Sequence, residues 1–379
     1  MTIVADENIA SASEAFEQFG EVRLLSGRAI AQQHLIEADA LVVRSITQVN
    51  RELLQGTRVK FVGTATIGTD HIDFDFLEEN GIAFADAAGG GARSVAEYVA
   101  AGLLQLHGKG MIDIRSAKLA VVGVGAIGQK IVDFSQALGM EVIQYDPPRA
   151  ENEVGFVSAS LTNLFQADIV SLSIPLTEGG DYPTHHWVDE KFLESVKPGA
   201  VLINTARGGV VHSEALRVSL AEKHLSGAIL DVWEGEPEVP RELLQLCQLA
   251  TPHIAGYSQD GKLKGTEMMA DGLARFAGVK NMWSTAHALP HRAGTIDLRG
   301  LDLFEGIRKA TETAYNIAED DRNLRELFSL PPNERRAGFD RLRKTYWKRR
   351  EFPAWEVLAE DPEMLSILNG LGFKKIARA

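Results

Sequence analysis

His253, in "TPHIAGYS", follows a proline and by itself reads as a packing residue at a strand end. Its candidate partners change that reading. Glu236, in "DVWEGEPEVP", lies seventeen residues earlier (253 − 236). A carboxylate there is able to hydrogen-bond one ring nitrogen and fix the tautomer, leaving the other nitrogen to exchange a proton with a substrate hydroxyl. Arg207 ends a strand-like run in "VLINTARGG", where two glycines expose its guanidinium. That fork of donors suits a carboxylate or a polarised carbonyl. Asp231 closes the apolar run that precedes Glu236. Taken singly, Arg207 is a surface cation and His253 a structural imidazole; together they point to proton transfer beside an anion-binding group.

A second motif supplies a place for a dinucleotide. In "LAVVGVGAIGQKIVDF", Gly123, Gly125 and Gly128 fall between an apolar strand and an amphipathic helix. The first glycine suits the tight turn, the second the approach of a pyrophosphate to the backbone, the third close helix–strand packing. The diphosphate then sits on the helix N-terminus. The next strand ends in Asp146, eighteen residues after Gly128 (146 − 128). A carboxylate there accepts from ribose hydroxyls and repels a 2′-phosphate, which favours NAD over NADP. Arg149 stands close by and is the residue that would argue for NADP.

These residues need a scaffold of parallel strands. Short apolar runs, "TIVAD", "ALVVRS" and "KFVGTAT", alternate with segments of helical period, and after the apolar helix expected within 94–107 the beat resumes with "KLAVVGVG", "EVIQYD", "DIVSLS", "AVLINTA" and "GAILDVW". Five such strands make a doubly wound sheet. The helical stretch "KLKGTEMMADGLARFAG" follows. Beyond about residue 285 the composition turns basic in "FDRLRKTYWKRREF", and "AWEVLAEDPEMLSILNGLGFKKI" reads as strand, helix, strand. The apolar positions of this tail predict an exposed stripe on a single copy, hence a partner.

Composition narrows the function classes. A length of 379 residues predicts two or three domains. A net charge of −13 argues against nucleic acid and against an acidic membrane surface as partners. Cys247 is the single cysteine, so neither a disulfide framework nor a thiolate metal site is expected, and the location expected is cytoplasmic. No metal is expected.

The segments "GVGAIG", "NTARGG", "DVWEGEP" and "TPHIAGYS", in this order and spacing, resemble the D-2-hydroxyacid dehydrogenase family. The resemblance implies an α/β fold with a Rossmann-type NAD-binding domain over 94–253, a flavodoxin-like substrate domain from 1–93 and 254–285, and a C-terminal α+β dimerisation domain over 286–379. It implies that Arg207 orients a substrate carboxylate and carbonyl, that Glu236 tunes the histidine, and that His253 is the acid/base. NAD is the implied cofactor, held by Gly123, Gly125, Ala126, Ile127, Gly128, Asp146, Ile174, Pro175, Thr205, Ala206, Arg207, Asp231 and Gly256. Ser45, Thr66 and Tyr257 are the implied contacts of a small phosphorylated hydroxy acid, and a homodimer is the implied assembly. Arg44 joins them on separate grounds, because a phosphorylated acid on so acidic a chain needs a nearby cation. The alternatives are another phosphorylated acid such as 3-phosphoglycerate, and a NAD-sensing protein without catalysis.

Overall fold

The computed structural model describes residues 1–346 and 349–376. Its contacts divide the chain into two units, Met1–Gly91 with Ser258–His291, and Ala92–Tyr257 with Arg292–Ala379.

The first unit is built on β1 (Thr2–Asp6), β2 (Glu21–Leu25), β3 (Ala40–Val43), β4 (Phe61–Thr64) and β5 (Ala83–Asp86), all parallel in the order β2-β1-β3-β4-β5. That is the flavodoxin-like order. Side chains alternate across a strand, so Ile3, Val42 and Phe61 bury against one face while Val4, Leu41, Val43 and Val62 bury against the other. The helix Gln259–Ala277, opened by the Ser258 side chain accepting from Gly261 N, returns to cover the first face with Leu263, Met269 and Leu273.

The second unit carries β6 (Lys118–Val122), β7 (Glu141–Tyr145), β8 (Ile169–Leu172), β9 (Val201–Asn204), β10 (Gly227–Leu230) and β11 (Leu249–Ala250), parallel in the order β11-β10-β9-β8-β6-β7. The order reverses between β6 and β8, and ligands of such sheets bind outside the carboxyl ends at that point. Five of these strands are the expected ones; β11, two residues long, is too short to show a period. The helix Ala92–Gly108 is buried along Val95, Ala96, Val99, Leu103 and Leu106, as its apolar sequence predicts.

The C-terminal residues form a small parallel sheet, β12 (Gly294–Asp297), β13 (Trp355–Leu358) and β14 (Lys374–Lys375), with the helix Pro362–Leu371 between the last two strands. The expected strand–helix–strand is there, and β12 is an addition. Three expectations need correction. Residues 92–93 and 254–257 lie with the nucleotide-binding unit, and residues 286–291 with the first unit. The C-terminal residues are not a separate compact body, because their core is continuous with that of the nucleotide-binding sheet. Ile307, Ala310, Ala314, Met364, Leu368 and Leu371 all bury in one cluster with Val95, Leu103, Val121 and Phe134. The apolar stripe predicted to need a second copy is therefore covered within the chain.

Candidate active site

Three neighbouring strands deliver the chemistry to one edge. Leu230 of β10 lies opposite Asn204 of β9 and Ala250 of β11, so the residues that follow each strand, leading to Arg207, Asp231 and Thr251, leave the sheet side by side. The Asp231 carboxylate, 1% exposed, organises what comes next. Its Oδ1 accepts from the Thr251 hydroxyl at 2.6 Å and from Ile254 N at 2.7 Å, and its Oδ2 accepts from Ala255 N at 2.9 Å. His253 N donates to the Asp231 carbonyl at 2.7 Å. These bonds hold His253 at φ 57°, in the left-handed region that a non-glycine residue occupies only when its surroundings enforce it. Thr251 is pinned from two further sides, by the Tyr98 hydroxyl at 2.7 Å and by Trp233 Nε1, which donates to the Thr251 carbonyl at 3.0 Å.

The turn places His253 against Glu236, with Nδ1 2.8 Å from Oε2; Trp233 N donates to Oε1 at 2.8 Å. An ionised carboxylate only accepts, so Nδ1 carries the proton and Nε2 is the basic nitrogen. Burial raises the Glu236 pKa, but the hydrogen bond and charge of His253, the Trp233 N–H and the charge of Arg343 outweigh it, and the net pKa lies below the ordinary glutamate value. The loop of Arg207 lies directly on the loop of Glu236, because a Cβ on Gly208 would fall 2.0 Å from the Trp233 carbonyl carbon. Asn204 shapes the approach to Arg207, its side chain accepting from Ala206 N at 3.0 Å and donating to the Arg207 carbonyl at 3.1 Å.

The glycine loop is shaped for a dinucleotide. Gly123 turns at φ 82°, and a Cβ on Gly128 would meet the Gly123 carbonyl oxygen at 1.9 Å. Nothing stands within 4 Å of where a Gly125 Cβ would be, and Gly125 and Ala126 are exposed at the start of the helix Ala126–Ala137, where no side chain caps the first N–H groups. An open backbone at a helix N-terminus fits a diphosphate. Ile127 is half-buried in that first turn. Asp146 Oδ2 accepts from Val124 N at 2.7 Å, which puts a carboxylate beside the loop. Arg149 is engaged by Glu153, by the Val124 carbonyl and by the face of Phe156. Ile174 packs over Gly123, the Pro175 carbonyl accepts from the Thr184 hydroxyl, and the Thr205 hydroxyl turns inward to Leu172 O. Ala206 is buried and Gly256 half-buried. The fit is good at the glycine loop and at Asp146. Asp231, expected at the cofactor, has its carboxylate engaged with the histidine turn.

Residues 92–255 match the D-isomer specific 2-hydroxyacid dehydrogenase, NAD binding domain, and residues 293–372 match a domain of unknown function (DUF3410). Erythronate-4-phosphate dehydrogenase of Pseudomonas putida is 42% identical over 98% of this chain and 99% of its own, and that of Escherichia fergusonii is 40% identical over 99% of each. The chain belongs to the erythronate-4-phosphate dehydrogenase family. Among solved structures, D-lactate dehydrogenase from Aquifex aeolicus, complexed with NAD and lactic acid, is 26% identical, with a TM-score of 0.61 over 73% of this chain and 96% of that one. The cofactor of the matched domain is NAD.

Within this erythronate-4-phosphate dehydrogenase fold, Arg207, Glu236, His253 and Tyr257 share the nucleotide-binding unit, whereas Arg44, Ser45 and Thr66 belong to the other. Arg44 and Ser45 follow β3. Thr66 follows β4, where its hydroxyl meets that of Thr64 at 2.8 Å, which in turn meets His71 Nε2 at 3.0 Å. Lost hydration and the Arg44 charge bring the Lys262 ammonium down to about 8. Lys262 was hidden in the sequence, where "DGKLKG" reads as an ordinary first helical turn. Also unread was the Glu97–Arg349 pair, both side chains 0% exposed, at 2.7 Å. Among the described residues, His185, His186 and Glu234 form a group whose ligand atoms lie within 4.8 Å of one another, and His186 and Glu234 are already bonded at 2.6 Å.

Proposed function

We propose that the chain catalyses NAD-dependent oxidation of 4-phospho-D-erythronate at C2 to 2-oxo-3-hydroxy-4-phosphobutanoate, a step of pyridoxal 5′-phosphate biosynthesis. The observation that carries the reading is the 2.8 Å Glu236–His253 bond at the sheet edge that also bears Arg207. The names of the relatives support the substrate. His253 Nε2 takes the proton of the C2 hydroxyl, while Glu236 faces the imidazolium so formed across Nδ1. Arg207 holds the carboxylate, whose two oxygens match its fork of donors. NAD, held at Gly123, Gly125 and Gly128 and beside Asp146, would supply the acceptor for the C2 hydride. In the reverse direction His253 starts protonated.

Ser45, Thr66 and Tyr257 supply hydroxyls to the substrate, and Arg44 supplies a cation for its phosphate. A homodimer and a cytoplasmic location belong to the same proposal. The deciding assay follows NADH formation with 4-phospho-D-erythronate and 3-phospho-D-glycerate side by side. Turnover of the first should exceed that of the second by orders of magnitude. Preference for 3-phosphoglycerate would reassign the substrate, and turnover of neither would leave a cofactor-binding protein.

A further inference from the structure

His71 takes no part in the reaction described so far, yet it joins the two loops of the first unit that carry Ser45 and Thr66. Its backbone holds the first of them. The His71 carbonyl accepts from Val49 N at 2.8 Å, and Asp73 N donates to the Val49 carbonyl at 2.9 Å, which ties the segment after β3 to the segment after β4. Its ring holds the second. His71 Nε2 lies 3.0 Å from the Thr64 hydroxyl, which lies 2.8 Å from the Thr66 hydroxyl. Thr64 is 0% exposed and His71 5%, whereas Thr66 is half-buried and reaches solvent.

The chain of hydrogen bonds has a direction, because each hydroxyl has one proton to give. Among the described residues, His71 and Thr66 are the hydrogen-bond partners of the Thr64 hydroxyl. A buried hydroxyl proton without an acceptor is costly, so it goes to one of the two. If it goes to His71 Nε2, Thr66 must donate inward to Thr64, since two oxygens 2.8 Å apart need a proton between them. Only lone pairs of Thr66 then face outward. If it goes to Thr66, a bare Nε2 would set lone pair against lone pair, so His71 carries a proton at Nε2. The Thr66 proton is then left over. Within the described residues its acceptor is the Gly68 carbonyl at 3.4 Å, beyond the usual length of a hydroxyl bond. Carboxylate and dianionic phosphate oxygens only accept, so the first direction repels them and the second receives them.

We infer that His71, protonated at Nε2, is a positioning residue for substrate binding: it donates to Thr64, Thr64 donates to Thr66, and the Thr66 hydroxyl is thereby turned outward as a donor to an anionic oxygen of the substrate. The inference rests on the reading of Thr66 as a substrate contact. It gives a buried imidazole a share in the preference for an anion without placing a second charge in the site.

Two measurements on the full-length, NAD-loaded protein test this. The first needs no turnover. Nitrogen NMR of protein labelled with 15N at its histidines, with the His71 signals identified by their loss in His71→Gln, should show Nε2 protonated; a bare Nε2 would reverse the chain and overturn the inference. The second is a cycle of His71→Met, Thr66→Val and the double variant, with KM and kcat measured for 4-phospho-D-erythronate. His71→Met should raise KM by about 3- to 10-fold, the worth of one oriented hydrogen bond, with the loss falling on KM rather than kcat. His71→Gln, whose amide donates from nearly the same place, should recover most of it. In the Thr66→Val background, which itself raises KM, His71→Met should add nothing. An equal rise with and without the Thr66 hydroxyl, a lower kcat at unchanged KM, or a Thr66→Val variant of normal KM would make His71 a packing residue and overturn the inference. If the unmodified protein does not oxidise the acid, the reaction proposed above fails on its own, and the protonation of Nε2 still decides the direction of the chain.

Discussion

His253 stands in a backbone conformation that its own side chain does nothing to favour, and Asp231 makes that possible. Three donors, the Thr251 hydroxyl, Ile254 N and Ala255 N, converge on its buried carboxylate. Burial raises its pKa, and the His253 charge and these donors oppose the rise. Replacing Asp231 with Asn turns one acceptor oxygen into a donor facing other donors. We expect Asp231→Asn to cost about 1–3 kcal/mol of stability and to lower kcat through a loosened His253. Urea unfolding and turnover on the same sample check this; a stable variant with normal kcat would remove the positioning role. The Glu236–His253 pair was legible in the sequence, because a carboxylate and an imidazole in adjacent strand-end loops have few other reasons to be there. The use of Asp231 was not, because a strand-end aspartate looks alike whether it faces a ligand or turns inward to backbone N–H groups.

The elements that hold this turn come from opposite ends of the chain. Glu97 sits in the helix Ala92–Gly108 and accepts from Arg349 Nη1 at 2.7 Å and from Phe352 N at 2.8 Å, while Arg349 reaches the Tyr257 carbonyl. Breaking such a buried pair strands a charge. Arg349→Met should therefore destabilise by about 3–5 kcal/mol, read as a lower denaturant midpoint, with kcat falling as well because Tyr257 loses its backbone anchor. A change under about 1 kcal/mol would mean that Glu97 is satisfied without it. Asp320 adds a pH dependence. Burial lifts its carboxyl to about 6, against the opposing bond from Tyr346. A carboxyl with a folded pKa above its unfolded value of about 3.9 binds its proton more tightly in the folded chain, so this contribution to stability is present at low pH and lost as pH rises from about 4 to about 6. Asp320→Asn should flatten the stability curve in that window, as urea midpoints between pH 4 and 7 would show; an unchanged slope would contradict the assignment. Neither contact was readable beforehand. Glu97 and Arg349 are 252 positions apart (349 − 97), and periodicity reports only which residues face inward, not which charge meets which.

On the scale of the whole molecule, βα alternation showed both parallel sheets, since strands of four or five apolar residues between helical segments leave few other folds. It did not name the edge strands β2 and β5, which bury few of their residues, and it missed β11 and β12, the first too short for a period and the second, "GTID", without an apolar run. It also misjudged the tail, because an apolar stripe tells that something covers it, not what. Ile307, Met364 and Leu368 bury within the nucleotide-binding unit. Truncation after residue 291 should therefore yield an aggregating chain, not a folded monomer, as light scattering would show; a soluble, folded truncation would refute the shared core. Oxidation at C2 with His253 as base can be followed with 4-phospho-D-erythronate deuterated at C2. The unmodified protein should transfer the deuterium to the recovered nicotinamide, and His253→Ala should slow that transfer by about 100- to 10,000-fold with NAD binding retained. Nicotinamide recovered without deuterium, or a His253→Ala variant of near-normal rate, would contradict it.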